Sequence, residues 1–239
     1  IKNDIVSMIL SIIIPAYNEK KTIEEIIRRV KAVDLGLVYK EIIVIDNGST
    51  DGTGDILRSI SGIRHIFLKK NIGKGGAMKT GIKSATGQMI IIQDADLEYD
   101  PCDYPAMIKP IMDGTGEIVL GIRDISKIRD IRRVGHMYWL IWLGNRLITW
   151  VTNILYWNNA KEYLGGYKVF TKKLVDLIEV RTNNFDFDTE LICKSLRRGY
   201  KTIDVSIRYY PRSYAEGKKI NWKDGLWTVW CLVRYGFNG

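Results

Sequence analysis

The sequence predicts an α/β fold with a mostly parallel central sheet and flanking helices. Three observations carry that expectation. Short β-branched runs recur through the first half of the chain, segments of helical spacing separate them, and polar loops rich in Gly, Asn and Asp follow the runs. Alternation of strand and helix needs crossover connections, and right-handed crossovers make neighbouring strands parallel. In such sheets ligands bind beyond the carboxyl ends of the strands.

The elements follow in order. Ile9 to Ile14 is an apolar β-branched run ending at Pro15, and the loop Ala16-Tyr17-Asn18-Glu19 comes next. Thr22 and Glu25 have capping-box spacing, while Ile23, Ile26, Ile27 and Val30 give one apolar helical face. Glu41 to Ile45 is a second strand, and Asp46-Asn47-Gly48-Ser49-Thr50-Asp51-Gly52-Thr53 is a long polar turn. A short helix from about Gly54 to Ser59 leads to a third strand near Arg64 to Leu68. Lys69 to Gly76 then opens a helix through Ala77 to Ala85. Its glycines permit close backbone approach, and Lys69, Lys70 and Lys74 place positive charge near the helix N-terminus. Taken alone, that loop reads first as a solvated turn.

Met89 to Gln93 is the fourth strand, apolar enough to be covered on both faces. Asp94, Asp96, Glu98 and Asp100 follow at every second position, until Pro101 stops regular structure. In extended chain Asp94, Asp96 and Glu98 would point the same way. Such carboxylates repel one another unless a cation neutralises them, and hard oxygen ligands suit Mg²⁺ or Mn²⁺. An acidic turn capping the next helix is the other reading of the same residues.

Composition narrows the function. A net charge of +9 over 239 residues suggests an anionic partner: nucleotide, nucleic acid or anionic lipid. The three cysteines form no C-x-x-C, which argues against a disulfide framework and for a reducing compartment. No G-x-x-x-x-G-K-[ST] occurs, and Gly73-Lys74-Gly75-Gly76 does not fit G-x-G-x-x-G. Residues 1–7 lack a charged-then-apolar leader pattern, and Met8 is a candidate start. All seven tryptophans fall in two segments, Trp139 to Trp157 and Trp222 to Trp230. Trp139, Trp150 and Trp157 fall on one helical face with Arg146, and Trp142 lies about 60° away, as a helix lying at headgroup level would present. An aromatic stripe facing the core is the competing expectation. Asn145, Arg146 and Asn153 at the centre of the first segment argue against spanning, since Arg there costs roughly 2.5–3.5 kcal/mol.

The motifs Ile12-Ile13-Ile14-Pro15-Ala16-Tyr17-Asn18-Glu19, Asp46 to Thr53, Asn71-Ile72-Gly73-Lys74-Gly75 and Asp94-Ala95-Asp96 stand in one order. Together they resemble family 2 glycosyltransferases of the GT-A fold. Gly121-Ile122-Arg123, Gly144-Asn145, Gly166-Tyr167-Lys168-Val169-Phe170, Phe187-Asp188-Thr189-Glu190 and Arg212 through Lys218 resemble the branch of dolichyl- and polyprenyl-phosphate sugar synthases. The resemblance runs from about Ile9 to Phe237. It implies a single GT-A (Rossmann-like) domain over 1–239, with a nucleotide-sugar half near 9–125. An acceptor half near 126–239 would carry amphipathic membrane-interface helices near 136–157 and 221–237.

The resemblance also implies roles. Pro15, Ala16, Tyr17, Asn18, Glu19 and Asp46 would hold the nucleoside; Gly73, Lys74 and Ala95 would line the nucleotide-sugar site. Asp94 and Asp96, with Glu98 where relatives commonly have Gln, would bind the metal. Arg123, Arg212 and Lys218 would face phosphate. Asn47 replaces a more usual second Asp, Gly217 stands where a Ser often precedes the Lys, and Arg133 is a weak match for a second phosphate-binding arginine.

The expected activity is inverting, metal-dependent transfer of a hexosyl group, with GDP-mannose ahead of UDP-glucose and UDP-N-acetylglucosamine as donor. The acceptor would be a dolichyl or polyprenyl phosphate, met by a peripheral protein at the cytoplasmic face of a membrane. No nucleic-acid partner is expected. A glycan-extending transferase would instead need Glu190 or Asp188 as base, unless both only decorate a helix start between Thr189 and Arg198. A basic, non-catalytic binding module is the reading from another class.

Overall fold

The computed structural model describes residues 8–123, 137–211, 230–232 and 234–235, with 137–141 described by backbone alone. The first half is built as the alternation dictates: β1 (Ile9–Ala16), α1 (Ile23–Ala32), β2 (Tyr39–Asp46), α2 (Thr53–Ser59), β3 (Arg64–Phe67), α3 (Lys74–Ser84) and β4 (Met89–Ile92). A 3-10 turn at Pro101–Asp103 leads to α4 (Tyr104–Met112), β5 (Ile118–Arg123) and α5 (Met137–Tyr156). Then come β6 (Lys168–Thr171), α6 (Lys172–Leu177), α7 (Phe187–Arg197) and β7 (Thr202–Ile207).

These strands form one seven-stranded sheet in the order β3-β2-β1-β4-β6-β5-β7. Pairing is parallel between β1 and β2, β1 and β4, β2 and β3, and β5 and β7, while β6 runs antiparallel to β4 and β5. Alternate strand residues serve opposite faces, and the two cores are sorted accordingly. Ile13, Ile43, Ile45, Ile90, Ile92, Ile118 and Leu120 pack on the face covered by α3, α5 and α7. Ile12, Ile14, Ile42, Val44, Met89, Ile91 and Val119 pack on the face covered by α1, α2 and α4. Burial on both faces explains why the strands read as unbroken apolar runs.

Several local expectations are corrected. β1 continues through Pro15, which pairs with Ile45 beyond the last β1–β4 partners, Ile13 and Ile92. A residue without an N–H is tolerated where the strand has lost one neighbour. The capping box is not formed: Thr22 donates to Glu19 instead, and Glu25 pairs with Arg28 and Arg29. Gly144 does not break α5, which runs on as one helix of 20 residues. α7 starts earlier than the sequence suggested, at Phe187.

Candidate active site

Registers Ala16–Asp46 and Ile13–Ile92 bring the ends of β1, β2 and β4 to one edge of the sheet. The loops carrying Tyr17, Asp46 and Asp94 leave from that edge. The first two are stitched into one wall: Asn18 N donates to Ser49 Oγ (3.0 Å), Asn18 Oδ1 accepts from Thr50 N (2.8 Å), and Glu19 N donates to Thr53 Oγ1 (3.0 Å). Ala16 is buried, Pro15 and Glu19 are half-buried, and Tyr17 and Asn18 are exposed. Asp46 is buried, and its Oδ1 accepts from Ser49 N at 2.9 Å. Asn47 joins this wall to the glycine loop, accepting from Ile72 N (3.0 Å) and donating to Asn71 Oδ1 (3.1 Å) and Gly73 O (3.2 Å). An aspartate could not donate those last two bonds, so the Asn47 departure has a structural reason.

The acidic loop rests on a buried aromatic platform. Gln93 Oε1 accepts from the hydroxyls of Tyr104 (2.6 Å) and Tyr167 (2.5 Å), and Gln93 Nε2 donates to Asp94 O (2.9 Å). Tyr99 stacks on Tyr167 at 4.9 Å and accepts from Gly166 N at 2.7 Å. Burial pushes the Tyr99, Tyr104 and Tyr167 phenols well above their ordinary range, so they remain neutral. The carboxylates are presented differently from the extended-strand expectation. The chain turns at Ala95 and Asp96, with Leu97 at φ +64°, and Asp96 Oδ1 accepts from Glu98 N at 3.1 Å. Alternation therefore ends at Asp94, and Glu98 is drawn aside to accept from Tyr209 OH at 3.1 Å. Ala95 is buried beneath the turn.

The cation beside Asp94 is Lys74, with Nζ 2.6 Å from Asp94 Oδ1. Burial by itself would lower the Lys74 pKa, but the carboxylates of Asp94, Asp188 and Asp96 outweigh it and hold the ammonium above the usual lysine range. Lys168, buried in β6, donates to Gly165 O (2.5 Å) and to Asp188 Oδ2 (3.2 Å). Asp188 Oδ1 is buried without a hydrogen-bond partner among the described residues. Among those residues no group of three or more Asp, Glu, His or Cys side chains is arranged to hold a metal ion. Asp94 and Asp96 nonetheless fit a hard cation completed by phosphate oxygens, which is how Mg²⁺ is commonly held. At present Asp94 is neutralised by the Lys74 ammonium.

Arg123 is committed within the protein. Its guanidinium pairs with Glu162, Nε to Oε1 measuring 2.7 Å, and its Cζ lies 5.1 Å from the Tyr209 ring centroid. Nothing in the sequence around Glu162 marks that partnership. The glycine loop is likewise used internally. Gly75 N and Gly76 N donate to the carbonyls of Asn184 (3.2 Å) and Asn183 (3.1 Å), so these α3 amides are already engaged. At Gly73, with φ +84°, a Cβ would lie 2.2 Å from Asn183 O. The close approach inferred from the glycines is thus to residues 183–184 of the same chain.

Glu190 is corrected as a candidate base. It is 1% exposed, and its carboxylate accepts from Arg181 N (3.0 Å), Thr182 N (2.9 Å) and Lys194 Nζ (2.5 Å). All its strong acceptor directions serve the 181–184 loop and its own helix. Asp188, by contrast, pairs with Lys168 and bears electrostatically on Lys74. The buried charge of Lys168 next to apolar Val169 and Phe170 was a legible signal of this cluster; the Tyr99–Tyr104–Tyr167 platform carried none.

Arg212, Lys218, Gly217, Arg133, Trp222 and Trp227 lie outside the described residues, as does the Trp139 side chain. On α5, Leu143, Leu147, Trp150 and Ile154 are exposed, and Trp157 just beyond it is 88% exposed. Ile148, Thr152 and Tyr156 face the core instead. Trp142 is half-buried under Arg146, whose Cζ is 5.6 Å from its ring centroid. Asn153 turns back to Ala160, donating to its carbonyl at 2.8 Å. No helix among the described residues is long and apolar enough to cross a membrane.

Comparison with known proteins places this arrangement. Residues 11–176 match the family described as Glycosyl transferase family 2. Dodecaprenyl-phosphate galacturonate synthase of Rhizobium johnstonii is 31% identical over 181 residues, 73% of this chain and 51% of that protein. Dolichol-phosphate mannosyltransferase of Pyrococcus furiosus is 28% identical over 218 residues, 88% of this chain and 59% of its own length. Glycosyltransferase AglJ of Haloferax volcanii is 28% identical over 202 residues, 84% of this chain and 63% of that protein. The chain thus spans between half and two thirds of these relatives. The fold is that of glucosyl-3-phosphoglycerate synthase from Mycobacterium tuberculosis, solved with Mn²⁺, UDP-glucose and phosphoglyceric acid: TM-score 0.72, 19% identity, 96% of this chain and 80% of that one.

Proposed function

The chain belongs to Glycosyl transferase family 2, and we propose that it moves a hexosyl group from a nucleoside-diphosphate sugar to a polyprenyl or dolichyl phosphate at a membrane surface. The observation that carries this reading is the half-exposed Asp94–Asp96 turn at the shared carboxyl edge of β1, β2 and β4. The relatives named for dodecaprenyl and dolichol phosphates support the acceptor class. GDP-mannose is the donor we favour, ahead of UDP-glucose and UDP-N-acetylglucosamine.

In this reading, the wall from Pro15 to Glu19 with Asp46 holds the nucleoside, and Asp94 and Asp96 are the residues that would hold Mg²⁺ or Mn²⁺. Such an ion would supply positive charge to a leaving group as it becomes more negative. Lys74 adds further cationic charge beside Asp94, and the family resemblance gives Arg212 and Lys218 a phosphate-facing role; Arg123, paired with Glu162, would meet phosphate only by leaving that partner. An acceptor phosphate oxygen attacks the anomeric carbon from the face opposite the leaving group. The new carbon–oxygen bond forms as the bond to the diphosphate breaks, and that electron pair leaves on the nucleoside diphosphate. Configuration is inverted. A phosphate monoester has its second pKa near ~6, so the nucleophile arrives as an anion and needs no strong base. A hydroxyl acceptor would need a base, and with Glu190 committed elsewhere only Asp188 would be available.

The exposed side of α5, with Arg146 and Trp150, supports docking of the protein on the cytoplasmic face of the bilayer that holds the acceptor. Residues 1–239 then act as one catalytic domain. The test is a panel of nucleotide sugars with a short polyprenyl phosphate, with Mn²⁺ or Mg²⁺ and with chelator. Metal-dependent formation of a polyprenyl-phosphate sugar is expected. Transfer only to glycan hydroxyls would overturn the acceptor, and no transfer from any donor would overturn the reading.

A further inference from the structure

Lys74 and a divalent ion make competing claims on one carboxylate. The ammonium lies 2.6 Å from Asp94 Oδ1, where its charge would oppose that of a divalent ion on the same carboxylate. Its anchor is fixed: Lys74 opens α3, whose next two amides are tied to the carbonyls of Asn183 and Asn184. The backbone therefore cannot carry the charge away. The side chain can, because a flexible alkyl stem separates the ammonium from its Cα. The neighbouring cation has no such freedom, since Lys168 is buried and held by Gly165 O and Asp188 Oδ2.

We propose that Lys74 is an exchangeable counter-cation: it neutralises the Asp94 loop while the donor is absent, then swings to the incoming diphosphate and releases Asp94 to the divalent metal. This rests on the transferase reading above and adds an order to it. The metal enters efficiently only with the nucleotide, because the diphosphate gives the ammonium a new partner at the moment its old one is taken. Like charges left together would repel strongly in a half-buried site, so simultaneous occupation of Asp94 is disfavoured. The carboxylates of the acidic turn are thereby kept from being forced apart by self-repulsion, and free divalent ions are not captured without donor.

The experiment measures Mn²⁺ binding by the electron paramagnetic resonance of the free ion, for wild type, Lys74→Met and Lys74→Arg, with and without GDP or UDP. Without nucleotide, Lys74→Met should bind Mn²⁺ about tenfold more tightly than wild type, and Lys74→Arg should stay near wild type. With nucleotide, wild type should gain Mn²⁺ affinity far more than Lys74→Met does. The rise in Tm on adding Mn²⁺ alone provides a second readout on the same proteins and should be larger for Lys74→Met. Equal Mn²⁺ affinity and equal Tm shifts for wild type and Lys74→Met without nucleotide would overturn the exchange while leaving the transferase reading intact. Absence of Mn²⁺ binding by wild type with either nucleotide would overturn both.

Discussion

At the scale of single residues, the site separates side chains left partly accessible from side chains spent on the protein itself. Asp96 is half-exposed on its turn, whereas Arg123 is embraced by Glu162 and Tyr209, and Glu190 by Arg181, Thr182 and Lys194. Motif resemblance cannot make that distinction, because it assigns a role to a position without seeing which partners already occupy the side chain. The difference has a measurable consequence. Asp96→Ala removes a carboxylate from a turn whose backbone is supported by the Gln93–Tyr104–Tyr167 network. We expect kcat to fall by about 10²–10³, as befits lost electrostatic stabilisation of a leaving group, while the circular dichroism spectrum stays that of wild type and stability falls only by the lost Glu98 N bond, about 1 kcal/mol. Full turnover of this variant in Mn²⁺ buffer would remove Asp96 from the metal site.

At the scale of elements, the strands and helices up to β4 were legible because their physics is local, whereas α4, β5, β6, α6 and β7 were not read from the sequence. Apolar runs such as Met89 to Ile92 and the Ile23-Ile26-Ile27-Val30 stripe announce their periods in the sequence. What was not legible is held by contacts across long sequence separations. The amides of α3 meet residues 183 and 184, and the acidic stretch turns at Leu97 instead of continuing as strand. Glu190 illustrates the point: its place near the start of α7 suggested either a base or a dipole partner, and it is a clamp on the loop that docks onto α3. Replacing it by Gln leaves one oxygen where two backbone amides and an ammonium need acceptors. A buried donor without a partner costs about 1–3 kcal/mol, so the urea midpoint of Glu190→Gln should drop accordingly. Burial alone would raise the Glu190 pKa, but Lys194 and the Thr182 and Arg181 amides outweigh it and hold the carboxyl below the ordinary range. Its contribution is then complete above the ordinary glutamate value and lost as pH falls through the depressed one. Wild type should shed that stability in acid, and the variant, having none of it, should show a flatter profile there. Unchanged stability of Glu190→Gln at neutral pH would show that the clamp is not energetically important.

At the scale of the whole molecule, the question is how a protein carrying a net charge of +9 would reach the proposed acceptor, whose tail stays in a bilayer. The distribution of tryptophan pointed to α5, and of its stripe Trp150 and Trp157 are exposed while the Trp139 side chain lies outside the described residues. Trp142 is half-buried against Arg146, and the exposed ridge runs through Leu143, Leu147, Trp150, Ile154 and Trp157. Trp230, 46% exposed, has Arg234 stacked at 4.9 Å, so it too pairs an aromatic ring with a cation. Rings of this kind favour the headgroup level, and each nearby Lys or Arg adds roughly 1 kcal/mol at an anionic surface. The informative variant therefore pairs Trp150→Ser with Trp157→Ser and leaves Trp142 alone. Both rings are already in solvent, 62% and 88% exposed, so their removal should leave Tm unchanged. Flotation with anionic liposomes at low salt should fall several-fold, since each ring withdrawn from the interface forfeits apolar burial on the order of 1 kcal/mol or more. Transfer to a long-chain polyprenyl phosphate in vesicles should fall in parallel, with KM rising more than kcat drops. Transfer to a short, water-soluble acceptor should hold, because the site beneath the Asp94 turn is untouched. Undiminished flotation of the double variant, with wild-type flotation released by high salt, would assign membrane attachment to charge alone.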